Sequence, residues 1–311
     1  MNILVTGGAG FIGSHLVDSL VNKGHQVTVF DNLSSGNLNN LAQVKDHIKF
    51  VEGDITNLDL LVEVLKGCEL VYHMAAVVSV IQTVKNPIIS SQINETGTLN
   101  VLEACRKNAV KRFVFSSSSA VYGDAPELPK HEKMIPKPMS PYAVQKITGE
   151  NYAGVYHELY GLETVCLRYF NVFGPRQDPS SPYSGVISIF MNKAGSNIQP
   201  VIYGDGEQSR DFVFVADVVE ANILAAETVM AAGRIINIGT GSQTTINHLW
   251  ELVCRINKIR LSAKHDVPRK GDIKDSVASI ETAKKILNFW PRYSMEKALA
   301  LTNCWYQKFN F

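Results

Sequence analysis

Tyr142 and Lys146 stand four residues apart, downstream of a serine run at 116–119. A tyrosine is a poor base in water, because its proton leaves near pH ~10. Four residues along a helix put both side chains on one face. An ammonium placed there favours the phenolate. Lowering the phenol pKa by ~3 units takes about 4 kcal/mol. One cation ~4 Å away, at an effective dielectric of ~20, supplies about that much. The spacing therefore predicts an acid–base tyrosine that works near neutral pH. Among the 11 tyrosines the same spacing recurs once, at Tyr293 and Lys297. No serine run precedes that second pair, and it reads as a solvated helix pair.

A second group of residues is suited to holding a dinucleotide. Gly7-Gly8-Ala9-Gly10-Phe11-Ile12-Gly13 follows an apolar strand-like run and opens an amphipathic helical pattern. Gly7 permits the tight turn, Gly10 lets the backbone approach a pyrophosphate, and Gly13 lets helix and strand pack closely. The free N–H groups of the helix start then face the phosphates. Asp31, ending the second strand-like run, can accept bonds from a ribose diol. It also repels a 2′-phosphate, and Asn32-Leu33-Ser34 supplies no arginine to offset that, so the pattern favours NAD over NADP. Asp54 ends the third run, where it could meet the adenine or simply precede a helix start at Thr56.

These residues need a frame. Strand-like runs occur at Asn2–Thr6, Gln26–Asp31, Ile48–Glu52, Leu70–His73, 112–116 and Glu163–Tyr169, with helical patterns between them. Alternating strands and helices with near-continuous apolar strands predict a parallel sheet covered on both faces. The expected fold class is therefore α/β, a doubly wound Rossmann sheet. After Phe170 the rhythm breaks into Gly-Pro and Asp-Pro punctuation. There the sequence predicts a helix at 184–193, short strands at Val201–Tyr203 and 211–215, a helix at 216–228 and a buried strand at 235–238. The remainder, from Ile246, reads as helix and loop. The expected division is a dinucleotide domain of residues 1–170 plus about 211–242, and a smaller α/β substrate domain of about 171–210 plus 243–311.

Of 311 residues, 45% are apolar and 19% charged, and the net charge is +1. That balance implies neither a nucleic-acid partner nor a polyanion. No stretch of ~18 apolar residues and no basic-then-apolar leader is seen, so no membrane partner is expected. The five cysteines are scattered and odd in number, which suits free thiols in a reducing, cytoplasmic setting. No clustered Cys or His spacing suggests a metal.

Together these elements resemble an extended short-chain dehydrogenase/reductase. The resemblance is carried by residues 6–13, Gly53-Asp54-Ile55, His73-Met74-Ala75-Ala76, Ser116-Ser117-Ser118, Tyr142-Ala143-Val144-Gln145-Lys146 and Arg168-Tyr169-Phe170-Asn171-Val172-Phe173-Gly174. Within that superfamily the chain is similar to UDP-hexose 4-epimerases, especially the type that accepts N-acetylated sugars. Arg176-Gln177-Asp178-Pro179 and Tyr183-Ser184-Gly185-Val186-Ile187 narrow the match. The resemblance implies bound NAD held by Gly7, Gly10, Phe11, Ile12, Gly13, Asp31, Asn32, Ser35, Gly36, Asp54, Ile55, Met74, Ala75, Ala76, Asn94, Ser116, Tyr142, Lys146, Tyr169 and Phe170. It implies catalysis by Ser118, Tyr142 and Lys146. Tyr142 takes the proton of the sugar 4-hydroxyl, and a 4-keto sugar forms and turns over. Ser118 bonds the reacting oxygen, while Ser116 and Ser117 support the strand end. The UDP-sugar falls to Ser118, Tyr142, Asn171, Val186, Tyr203, Arg210, Arg269, Asp272 and Ser276. Ser276 would gate the sugar pocket, its small size admitting a 2-acetamido group. Asp217 reads as a helix cap.

Dehydratases and decarboxylating relatives carry an acid just after the strand-end hydroxyls. Here Ser119-Ala120-Val121-Tyr122-Gly123 intervenes before Asp124, which favours chemistry at C4 alone. Two alternatives stay open: a UDP-glucuronate 4-epimerase, and a non-catalytic NAD-binding redox sensor. The resemblance also implies a homodimer through helices near 96–108 and Pro141–Tyr160.

Overall fold

A strand apolar on both faces must be covered on both. In the first strand, β1 (Asn2–Thr6), Leu4 faces one core while Ile3 and Val5 face the other. The computed structural model describes residues 1–178, 185–268 and 273–309. In it, β1 is an interior strand of a seven-stranded sheet. The first half of the chain runs α1 (Phe11–Asn22), β2 (Gln26–Asp31), β3 (Ile48–Glu52), α2 (Leu58–Val64), β4 (Leu70–His73), α3 (Val80–Lys85) and α4 (Pro87–Ser91). It continues through α5 (Thr98–Lys107), β5 (Arg112–Ser118), α6 (Pro141–Tyr160) and β6 (Glu163–Tyr169).

The second half runs β7 (Asn171–Phe173), α7 (Val186–Gly195), β8 (Val201–Tyr203), β9 (Ser209–Arg210), β10 (Phe212–Phe214) and α8 (Val215–Glu227). After it come β11 (Arg234–Ile238), β12 (Thr244–Thr245), α9 (Ile246–Asn257), β13 (Lys264–Asp266), β14 (Asp275–Ser276) and α10 (Met295–Phe309). The main sheet has the order β11-β6-β5-β4-β1-β2-β3 and is parallel throughout. One face is packed by α1 and α8, the other by α2, α5 and α6. The doubly wound architecture expected from the sequence is thus the one formed. The chain reverses direction across the sheet between β1 and β4, the place where such folds open a ligand crevice.

A third core lies over one end of this sheet. It joins Phe190 of α7, Trp250 of α9, Leu299 of α10 and the phenylalanines of β7 and β10. Three small sheets stitch it together: β10 on β7, β12-β9-β14, and β13 on β8.

The structure departs from the sequence reading in places. β5 runs to Ser118, because Ser117 and Ser118 still pair with Arg168 and Tyr169 of β6. The strand read at 211–215 is shorter, since Val215 already begins α8. The helix read from 184 begins at Val186. β13 and β14 lie in a stretch read as helix and loop. Tyr293 and Lys297 do not share a helix: Tyr293 precedes α10 and packs on Phe214, with ring centres 4.7 Å apart.

Candidate active site

Helix α6 is built to start where it does. Ser140 caps it by accepting from the Ala143 N–H at 3.2 Å, Pro141 occupies the first turn, and Gly161 ends it with φ +69°. Tyr142 therefore sits at the positive end of the helix dipole, which favours a phenolate. Lys146 and Glu150 follow at one-turn steps on the same face.

The end of β5 meets this face serine by serine. Ser118 lines the same cavity as Tyr142, and its hydroxyl favours the phenolate. The Ser116 carbonyl accepts from the Lys146 ammonium at 2.7 Å. The Ser117 hydroxyl donates to Glu150. Glu150 in turn is clamped by Arg168 of β6, at 2.8 Å to Nε and 2.6 Å to Nη2, with both side chains buried. Ser116 also donates its hydroxyl to the His73 carbonyl at 3.0 Å.

The electrostatics differ from the sequence argument. The Lys146 ammonium lies 5.7 Å from the centre of the Tyr142 ring and 5.0 Å from that of Phe115. Its bond goes to a carbonyl, not to the phenol. Burial pushes Tyr142 up to about 12, against the lowering effect of Ser118. Burial also brings Lys146 down to about 8, against the raising effect of the Glu150 charge. The chain alone therefore stores a protonated tyrosine beside a lysine poised to lose its proton.

His73 is locked beneath the site. Thr98 donates to the Asn94 carbonyl at 2.7 Å, so its oxygen accepts from His73 Nε2 at 2.9 Å. Thr6 Oγ1 takes the Ala75 N–H at 3.3 Å and donates to His73 Nδ1 at 2.7 Å. The ring is neutral, its pKa held down to about 3 by burial and then by the Lys146 charge.

The residues assigned to the dinucleotide gather at the β1–β4 reversal. Gly7 has φ +67°, and a Cβ there would lie 2.6 Å from Ala75 N. A Cβ on Gly13 would lie 2.2 Å from Gly7 O. No side chain caps α1 at Gly10, which leaves the first N–H groups of the helix without a side-chain partner, as an anion site requires. Asp31 accepts from Ala9 N at 2.9 Å and Leu33 N at 2.8 Å, one bond per oxygen. Lone pairs remain for a diol. Gly36 packs on the same carboxylate, where a Cβ would lie 2.9 Å from it; Ser35 beside it is exposed. Asn32 donates to Asp54 at 2.7 Å, and Asp54 also takes the Thr56 N–H and hydroxyl. Met74, Ala75 and Ala76 form the loop after β4, and Ile55 is buried under Gly97. This cradle fits NAD.

Asn94 is placed differently from the sequence reading. It sits on a π turn, Gln92–Gly97, and both its amide hydrogens are spent inside the protein, on Val77 O and Gln145 Oε1. Its oxygen takes Val77 N. It shapes the 75–77 loop from behind. Asp217 also differs: Phe214 is the cap of α8, and Asp217 instead holds Arg292 N at 2.9 Å.

Two cavities adjoin. One, of about 320 Å³, is walled by Ser118, Tyr142, Tyr169, Phe170 and Ser276. The other, of about 340 Å³, is walled by Val186, Tyr203, Phe173 and Gln208. Asn171 and Arg210 belong to both. Arg269 and Asp272 lie outside the described residues.

Two residues of this region escaped the sequence reading. Lys130, almost fully buried, lines the first cavity and donates to the Ala125 carbonyl. Nothing in its local sequence marks it. Asp211 is fully buried, and it receives Thr240 N and Oγ1, Gly241 N and Ala278 N. It ties the loop after β11 and the strand of Ser276 to Arg210. A carboxylate followed at once by Phe212-Val213-Phe214 was a readable sign of such a buried hub.

Residues 3–239 match the model of the NAD dependent epimerase/dehydratase family. The chain belongs to that family. Its cofactor is NAD, and its resemblance to extended short-chain dehydrogenase/reductases of the UDP-hexose 4-epimerase kind is borne out. It is 41% identical over 310 residues to a putative UDP-glucose 4-epimerase of Methanocaldococcus jannaschii, covering 99% of both chains. A solved UDP-glucose 4-epimerase of Thermotoga maritima with UDP-glucose superposes with TM-score 0.96, at 41% identity and full coverage of both. A UDP-N-acetylglucosamine 4-epimerase of Methanobrevibacter ruminantium, in complex with UDP-N-acetylmuramic acid, gives TM-score 0.95 at 43% identity, covering 99% of this chain and 98% of that one. No helix among the described residues is long and apolar enough to cross a membrane.

Proposed function

We propose that this chain is a UDP-sugar 4-epimerase that inverts C4 through a 4-keto intermediate. One observation carries the reading. Ser118, Tyr142 and the Lys146 that backs them stand at a cavity of hexose size, which shares Asn171 and Arg210 with a second cavity. A sugar fits the first, a nucleoside the second, and a diphosphate the shared wall, where Arg210 offers a forked donor. Bound NAD supplies the hydride acceptor and donor. Tyr142 takes the proton of the 4-hydroxyl and returns it, Ser118 shares that oxygen, and Lys146 holds the charge that makes the phenolate accessible. Residues 1–170 with about 211–242 hold NAD in this reading, and about 171–210 with 243–311 hold the UDP-sugar.

Two features support simple C4 chemistry. No carboxylate is among the described residues lining the first cavity. Ser276 stands there, opposite Arg210 in the β14–β9 register, where a small side chain leaves room for a 2-acetamido group. The proposed substrates are UDP-Glc/UDP-Gal and UDP-GlcNAc/UDP-GalNAc. A second reading, an acidic sugar such as a glucuronate, has Lys130 in its favour, a cation in the same wall. The acidic sugar in the Methanobrevibacter complex points the same way.

The exposed Val144, Val155 and Leu159 of α6 suit a homodimer packed through α5 and α6. Five free thiols suit a cytoplasmic enzyme.

The test is C4 inversion of a UDP-sugar panel by purified protein with no added NAD. Tyr142→Phe is expected to lower kcat by at least about 1,000-fold, on the scale of losing a general base. A Tyr142→Phe variant with full rate would falsify the assignment. Absence of inversion on every UDP-sugar would leave only a dinucleotide-binding sensor.

A further inference from the structure

Tyr142, Lys146 and Glu150 are successive one-turn steps on α6, and three consecutive serines of β5 meet them: Ser118 shares a cavity wall with Tyr142, the Ser116 carbonyl takes the Lys146 ammonium, and the Ser117 hydroxyl donates to Glu150. The third rung is the one that the proposed chemistry leaves unused. Glu150 is 4% exposed and Arg168 2%, and the guanidinium lies 4.8 Å over the Tyr122 ring. Tyr122 passes the chain of contacts on to Asn237 at 2.7 Å. A buried ion pair is often no more stable than an apolar pair of the same volume. Its place here is therefore informative.

A singly protonated tyrosine–lysine pair has two forms, phenolate with ammonium and phenol with amine. Only the first provides a base for a sugar hydroxyl. The groups facing the Lys146 ammonium decide between them. On α6 these are Tyr142 and Glu150. On β4 there is the neutral His73. β5 brings Phe115 and the serines, while Arg168 of β6 reaches Glu150 from the other side. Among these described residues Glu150 is the one anion.

We propose that Glu150 is a positioning residue for the reaction: its carboxylate, one turn from Lys146 and tied through Ser117 to the strand end that presents Ser118, keeps the proton on the lysine and the charge on the tyrosine. This rests on the acid–base reading of Tyr142. Arg168 holds the carboxylate in place with two hydrogen bonds. Glu150→Gln preserves the shape and most of the hydrogen bonds but removes the anion that faces Lys146 and leaves Arg168 uncompensated.

The experiment uses the full-length, NAD-loaded protein. The pH profile of kcat/KM is measured together with the ultraviolet difference titration of the phenolate, with Tyr142→Phe as its blank. Glu150→Gln is expected to move the alkaline limb down by about one pH unit, a tenfold change in the lysine's protonation ratio. The Tyr142 phenolate should appear at correspondingly higher pH. Ser117→Ala should move the limb the other way, because the donor that partly offsets the carboxylate's field at Lys146 is gone.

Limbs that stay in place in both variants, or that move in the same direction, would overturn the proposal and leave Glu150 a purely structural residue, whatever happens to Tm. If Glu150→Gln does not fold, Ser117→Ala decides alone: an upward limb supports the proposal, and a fixed or lowered one overturns it. A fully active Tyr142→Phe would instead sink the acid–base reading on which the proposal stands.

Discussion

Lys146→Met keeps the length of the side chain and removes its charge. The ammonium lies 5.7 Å from the centre of the Tyr142 ring. At that separation and an effective dielectric of ~20, a unit charge is worth about 3 kcal/mol to a phenolate. That corresponds to about 2 pKa units. Burial already holds Tyr142 up at about 12 in the chain alone, so the active form depends on added positive charge. Without Lys146 the phenolate fraction below its pKa falls about 100-fold. The assay is C4 inversion at saturating UDP-sugar, from roughly pH 6 to roughly pH 10. Near neutrality kcat should fall by about 100-fold, then climb about tenfold per pH unit where the native enzyme is flat. The two curves should approach each other at the alkaline end. A deficit of the same size at every pH would refute the reasoning. It would mean that Lys146 only positions the cofactor and does not tune the phenol.

Ser276→Tyr should fill the hexose cavity on the side that admits an acetamido group. Inversion of UDP-GlcNAc is expected to drop by about 100-fold or more, with UDP-Glc changed by a few-fold at most; equal losses on the two sugars would remove Ser276 as the gate. His73 supplies a stability prediction. Its folded pKa is about 3 against 6.5 for an ordinary histidine, so between those values the unfolded chain binds a proton that the folded chain refuses. The stability held above about pH 6.5 is therefore lost as pH falls toward about 3, at about 1.4 kcal/mol per unit from this site. Chemical denaturation across that window should be less steeply pH-dependent for His73→Gln than for the native chain, and identical slopes would rule the site out.

The parts of this molecule that could be read in advance are those governed by local rules. Leu4 between Ile3 and Val5, or Val71 between Leu70 and Tyr72, announces a strand covered on both faces. Gly7, Gly10 and Gly13 announce the turn that such a strand must make before a helix. Ser140-Pro141 announces the start of α6. What stayed hidden depends on partners far along the chain. β12 and β14 are two residues long and exist because Ser209 and Arg210 lie between them. The role of Asn94 follows from Val77 and Gln145, and that of Asp217 from Arg292. The Tyr142–Lys146 spacing was legible, yet the destination of the ammonium was not, because it is set by a carbonyl of β5. Lys130 reaches the cavity through a bridge to Ala278, 148 positions away by residue number, and no local pattern encodes that.

The last strand of the main sheet has a consequence for how the protein is made. β11 pairs with β6, but the chain reaches it only after β7 to β10 and α8 have been synthesised. Until residue 238 leaves the ribosome, β6 is an edge unpaired on one side, with Val165, Cys166 and Leu167 at its middle, the kind of surface on which nascent chains join one another. A ribosome stalled before residue 234 would therefore expose a sticky intermediate rather than a finished nucleotide-binding unit. Chaperone demand should be concentrated in that interval of translation.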